Sequence, residues 1–226
     1  MQNLETIFWS NNSGIKSLFI IVAHPDDFEI GCLGAVLRMY KSNFRFKIYI
    51  LVMCTSNKIR KLEQISSIKS LKEIGLDIHV RMLQYVDTTL PENIYKIKND
   101  LRNELKIIEK YSDEVCILTH NSKDRHQDHA TIFKSVTQTA RSHRIICFDI
   151  PKYEVEGFTP SFFVCLKDDI VNEKISHIMR HFHSQIGKKW FNQDVFSSCM
   201  MVNGIHANCK YAEAFFTPID FDFIDL

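Results

Sequence analysis

Ser17-Leu18-Phe19-Ile20-Ile21-Val22-Ala23, running without a break into His24-Pro25-Asp26-Asp27, is the stretch that decides the fold. A short apolar run with three consecutive β-branched residues predicts a strand buried on both faces, as strands of a parallel sheet are. Its abrupt polar end is followed by Ile30, Leu33, Leu37 and Tyr40. Their spacing of three and four predicts a helix over Asp27 to Tyr40.

The same alternation continues outward. Phe46 to Thr55 reads as a second strand. Lys58 to Ile74 reads as a helix with Leu62, Ile65, Ile68 and Leu71 inward and Gly75 at its C-terminal cap. Asp77 to Tyr85 is a third strand, Pro91 to about Tyr111 a helix, and Val115 to Thr119 a fourth strand. Asp128 to Arg141 is helical and Arg144 to Ile150 a fifth strand. Strands that alternate with helices predict an α/β fold, a mostly parallel sheet with helices on both faces. The remainder is less regular, with helices near Lys167 to Ser184 and Gln193 to Lys210 around a Phe-rich stretch, Phe158 to Val164. Without a repeat, a low-complexity tract or a long linker, residues 1–226 read as a single domain with a core at 15–150 and an elaboration at 151–226.

Composition excludes several classes of function. Twenty-eight basic against 27 acidic residues give a formal charge of +1, too little to draw in nucleic acid or an anionic membrane, so no such partner is expected. Hydrophobic residues make up 45% of the chain, and 17 are Phe, enough to fill a core. No run approaches about eighteen apolar residues, so no membrane span is expected. Met1 to Ser17 lacks the layout of a secretion signal. Cys32, Cys54, Cys116, Cys147, Cys165, Cys199 and Cys209 are odd in number and widely spaced. They read as reduced thiols in a cytoplasmic protein.

In open α/β sheets ligands bind beyond the carboxyl ends of the strands. Two polar segments fall there: His24-Pro25-Asp26-Asp27 after the first strand, and His126-Gln127-Asp128-His129 after the fourth. Zinc takes imidazole and carboxylate ligands, and a hydrolytic site keeps three protein ligands with one position open. Two His and one Asp from these segments suffice. Of the paired aspartates, one can bind metal while the other faces water as a general base. Taken singly, Asp26 or Asp27 reads first as an N-cap; four such residues at two strand ends are hard to explain without a metal. Other signals are weaker. Gly31-Cys32-Leu33-Gly34 lacks dinucleotide spacing and reads as close helix packing, while His177, His181 and His183 read as surface residues.

Ala23-His24-Pro25-Asp26-Asp27 with Glu29, Gly31, Cys32 and Gly34, and then His126-Gln127-Asp128-His129, resembles the LmbE-like or PIG-L family of zinc-dependent N-acetylglucosamine deacetylases. Phe158-Thr159-Pro160, Phe163-Val164, Ser184-Gln185 and Tyr211 to Phe215 resemble its downstream pattern. The resemblance implies a Rossmann-like fold and release of an acetyl group from an N-acetylated sugar, sugar conjugate or nucleotide sugar. It implies that His24, Asp27 and His129 bind zinc, or another divalent transition metal. Asp26 is then the general base, His126 stabilises the oxyanion with Asp128 orienting it, and Asp26 or His126 protonates the departing amine. Members often place a substrate-binding arginine on the helix after the second strand. Here Glu63 stands at that position and Arg60 lies one turn earlier as the candidate contact. Two rival readings are a non-catalytic sugar-binding module and a metal-dependent phosphoester hydrolase.

Overall fold

The computed structural model describes residues 15–112, 114–152 and 159–218. Seven strands form one sheet: β1 (Ser17–Val22), β2 (Lys47–Val52), β3 (Ile78–Met82), β4 (Val115–His120), β5 (Arg144–Phe148), β6 (Phe162–Leu166) and β7 (Tyr211–Phe216). Their order is β3-β2-β1-β4-β5-β7-β6. The first five run parallel, with Leu18 opposite Ile48 on one side and Cys116 on the other. β7 then returns antiparallel to both β5 and β6. The expected Rossmann-like α/β fold is therefore present, and the order reverses between β1 and β4.

Among the described residues seven α-helices cover it: α1 (Asp27–Gly31), α2 (Leu33–Lys41), α3 (Lys58–Glu73), α4 (Ile94–Ile108), α5 (Gln127–Thr139), α6 (Asp168–His181) and α7 (Gln193–His206). Alternation along β1 sends Leu18, Ile20 and Val22 into the core under α2, α3 and α6. Phe19 and Ile21 point into a second core under α4 and α5. Both faces of β1 are thus buried. No described helix is long and apolar enough to cross a membrane.

Five expectations need correction. The helix expected over Asp27 to Tyr40 breaks at Cys32, whose φ of −148° is not helical. Phe148 lies so close that a Cβ on Gly31 would meet its ring at 2.2 Å. The restarted helix α2 has no cap of its own. Instead the Glu213 carboxylate on β7 accepts hydrogen bonds from the Gly34 and Ala35 amides at 2.9 and 2.7 Å, and Lys174 neutralises it at 2.5 Å.

The C-terminal elaboration is more regular than expected, since α7 stops at His206 and Tyr211–Phe216 becomes a strand within the sheet. The inward stripe of α3 is also different. Leu62 and Ile65 are 56% and 45% exposed, while Gln64 and Ser67 join Ile68 and Leu71 inside. His177 is buried, not a surface residue. Finally, Cys165 and Cys209 form a disulfide with a Cα separation of 6.2 Å, so these two are not reduced thiols. Met1 to Asn12 and Phe158, which carried parts of the sequence reading, lie outside the described residues.

Candidate metal centre and active site

The carboxyl ends of β1 and β4 deliver the two polar segments to one point. Register pairs Ile21 with Thr119, so His24 to Asp27 leave the sheet beside His120 and the loop that carries His126 to His129. His126 caps α5, its Nδ1 accepting from the Asp128 amide at 3.2 Å, so the neutral ring carries its proton on Nε2. Asp26 holds the first residue position before α1 with φ 91° and ψ −25°. A non-glycine residue in the left-handed region costs roughly 1–3 kcal/mol and persists only where neighbours enforce it.

Three atoms converge. Nδ1 of His24 lies 3.1 Å from Nε2 of His129, and Oδ2 of Asp27 lies 3.5 Å from each. A tetrahedral ion with bonds of 2.0–2.1 Å would hold its ligands about 3.3–3.4 Å apart, so the triangle has the size that a zinc ion requires. The far side of each ring faces a carboxylate. Nε2 of His24 lies 2.8 Å from Asp87 and 3.2 Å from Asp128, and Nδ1 of His129 lies 2.5 Å from Asp124. Carboxylates in those places draw each ring proton to the outer nitrogen and turn lone pairs inward. Two lone pairs and a carboxylate oxygen then face one another, an arrangement that a shared proton or a cation relieves. The donor set and its spacing fit a divalent transition metal.

Asp26, next in the chain, has its two carboxylate oxygens in different surroundings. Its Oδ1 accepts from Nη2 of Arg60 at 2.9 Å, and the same nitrogen donates to the Pro25 carbonyl. Its Oδ2 is buried with no partner among the described residues. Burial pushes the Asp26 carboxyl up to about 6, resisted first by the Arg60 charge. Burial has the opposite effect on His126, lowering it from the usual imidazole range. The ring of His126 stacks on that of His129, 4.5 Å between centroids and 17° from parallel.

The structure therefore gathers His24, Asp26, Asp27, His126, Asp128 and His129. Asp128 meets His126 through its backbone amide, and its carboxylate has partners of its own. It bonds His24 and accepts from the Thr88 and Leu90 amides at 2.6 and 3.1 Å. Arg60 is engaged with Asp26, and Glu63 accepts from the amide and hydroxyl of Ser184, both at 2.6 Å. Sequence reasoning missed Asp87, Asp124 and His120. His120 is fully buried, accepts from the Ala23 amide at 3.0 Å and stacks on His129 at 3.8 Å. The one available signal was Asp124, two residues before His126 in a polar loop.

Residues 19–140, both polar segments included, match the family described as PIG-L: GlcNAc-PI de-N-acetylase. The chain belongs to the PIG-L family. A curated relative is the uncharacterized deacetylase YaiS of Escherichia coli K12, 26% identical over 79% of this chain and 97% of that protein. Among solved structures, the N,N'-diacetylchitobiose deacetylase of Pyrococcus horikoshii superposes with a TM-score of 0.70 at 20% identity, covering 99% of this chain and 92% of that one. The 4-carboxy-2-hydroxymuconate hydratase GalB of Pseudomonas putida KT2440 has a TM-score of 0.62 at 13% identity, covering 94% of this chain and all of that one. The fold is thus compatible with more than one chemistry, and the reaction must be argued from the site.

Proposed function

We propose that this PIG-L protein is a metal-dependent N-deacetylase that hydrolyses the N-acetyl group of an amino sugar, a sugar conjugate or a nucleotide sugar. The single observation that carries the reading is the carboxylate-backed triangle of His24 Nδ1, Asp27 Oδ2 and His129 Nε2, next in the chain to Asp26 with its buried, unpartnered Oδ2. These three residues would hold zinc, or another divalent metal of similar preference. Such an ion, when bound, supplies acidity to water and polarises the scissile carbonyl.

The chain's own groups supply the rest. Oδ2 of Asp26 takes the proton of the attacking water, while Arg60 pins Oδ1 and keeps the carboxyl ionised despite burial. With Nδ1 occupied by the Asp128 amide, His126 offers Nε2–H to the oxygen on which negative charge develops. Asp26, having gained a proton, returns it to the departing amine. Asp128 and Asp124 hold the two ligand histidines in orientation.

The test uses metal-loaded protein and a panel of N-acetylated sugars and nucleotide sugars, with release of acetate and free amine measured together with bound metal. Asp26→Asn should keep its metal and lose roughly 100- to 10,000-fold in kcat, the usual worth of a general base. His129→Ala should lose the metal. Full turnover by Asp26→Asn would remove Asp26 as the base, and a metal-loaded wild type that hydrolyses no amide in the panel would overturn the deacetylase reading.

A further inference from the structure

From the Asp26 amide a chain of buried polar groups crosses three helices. The Asp26 amide donates to Oε1 of Gln64 at 3.1 Å. Nε2 of Gln64 donates to Oε1 of Glu29 at 2.7 Å, and the Ser67 hydroxyl donates to that oxygen at 2.5 Å. Having given its one proton to Glu29, Ser67 accepts from Nε2 of His177 at 2.8 Å. Gln64, Glu29, Ser67 and His177 are all buried, none more than 8% exposed. Nothing in the reaction as derived above uses any of them.

We propose that Gln64 is a positioning residue for Asp26, and that Glu29, Ser67 and His177 serve to fix the orientation of its amide. The inference rests on the reading of Asp26 as general base. An amide at the start of a helix has no partner within the helix, and this one is shielded from water. Gln64 supplies the acceptor. Only one orientation of its side chain serves both neighbours, with oxygen toward Asp26 and nitrogen toward Glu29. The Asp26 backbone is thereby held in its left-handed conformation, which leaves Oδ1 on Arg60 and Oδ2 open. The same requirement accounts for the orientation of α3. The helix turns Gln64 and Ser67 inward and leaves Leu62 and Ile65 at the surface, forgoing apolar burial for a polar contact at one backbone atom.

The experiment compares the metal-loaded full chain with Gln64→Leu, which removes the amide at similar size, and with Gln64→Glu, which keeps an acceptor for the Asp26 amide. A displaced general base should lower kcat of Gln64→Leu roughly 100-fold, the scale of an ångström's misplacement, with KM and metal content unchanged. Gln64→Glu should recover most of the loss. Should Gln64→Leu fail to fold, Ser67→Ala removes the next link and should lower kcat by a smaller factor, again at constant KM. A fall in thermal stability with kcat within about threefold of wild type in these variants would make the network merely structural and overturn the proposal. A crystal structure of Gln64→Leu, or of Ser67→Ala in its place, gives a readout that needs no substrate. The proposal expects Asp26 to leave φ near 91° or to lose Arg60, and an unmoved Asp26 overturns it. A wild type that cleaves no amide would instead remove the base reading alone.

Discussion

Asp124 lies outside both polar segments, yet its Oδ2 is 2.5 Å from Nδ1 of His129 and so decides which nitrogen of that ring faces Asp27 and His24. Asp124→Asn keeps the size of the side chain and loses the charge. Metal affinity should fall roughly 10- to 100-fold, the usual effect of removing such a partner, as read by competition with a chelator. An unchanged affinity would show that the carboxylate does not hold the ring. Gly34 is fixed for a steric reason. A Cβ there would come within 2.6 Å of Oε1 of Glu213 and 2.7 Å of Leu166, displacing the carboxylate that caps α2. Gly34→Ala should cost about 1–3 kcal/mol, seen as a lower midpoint in thermal melts, and a melt equal to wild type would mean that Glu213 yields freely. His24, Asp27 and His129 were legible as candidate ligands because they stand in dense polar clusters at strand ends. Asp87, Asp124 and Gln64 were not. Each is a single polar residue whose partner lies far along the chain, or in a loop without period.

The five parallel strands and most helix bounds could be read from β-branched runs and from spacings of three and four. β7 escaped because Glu213 sits in its middle, and a charged residue at a buried position breaks the apolar signal that only Lys174, 39 residues earlier, restores. α3 misled for a related reason. Leu62 and Ile65 share the spacing of Ile68 and Leu71, and nothing local says that Glu29 and the Asp26 amide need polar partners beneath the helix. On α6, burial and the nearby charges of His181 and Arg180 lower His177 to about 3. An unfolded histidine titrates near 6.5, so below that pH the unfolded chain binds a proton that the folded chain refuses, and stability falls as pH drops. At pH 5.5 the loss from this residue is about 1.4 kcal/mol relative to its full value well above pH 6.5. His177→Gln keeps a donor for Ser67 and should lack that share of the acid sensitivity in denaturant melts at pH 7.5 and 5.5. Equal pH slopes for the two proteins would count against a neutral buried His177.

At the scale of the molecule, the proposed ligands come from two strand ends about a hundred residues apart, so a bound ion ties the β1 and β4 loops across the point where strand order reverses. An ion that binds only the folded chain, present at a thousand times its dissociation constant, adds about 4 kcal/mol. In a chain of this size that corresponds to a midpoint roughly 8–16 °C higher. Chelation should remove that increment from the wild type and leave His129→Ala unmoved. A wild type indifferent to chelator would contradict a metal held by these residues.

The segment from Val86 to Leu90 lies against the site with Thr88 at φ 68°, a strained conformation for a β-branched residue. Its amides hold the Asp128 carboxylate, which in turn faces the outer nitrogen of His24. Loop and proposed ion would therefore be linked through one side chain, and linkage is reciprocal. Any substrate that steadies the loop more than the empty site does must raise the affinity for the ion, and the ion must raise the affinity for that substrate by the same factor. Substrate would thus retard loss of the metal, and enzyme kept in turnover should resist a chelator that strips it at rest.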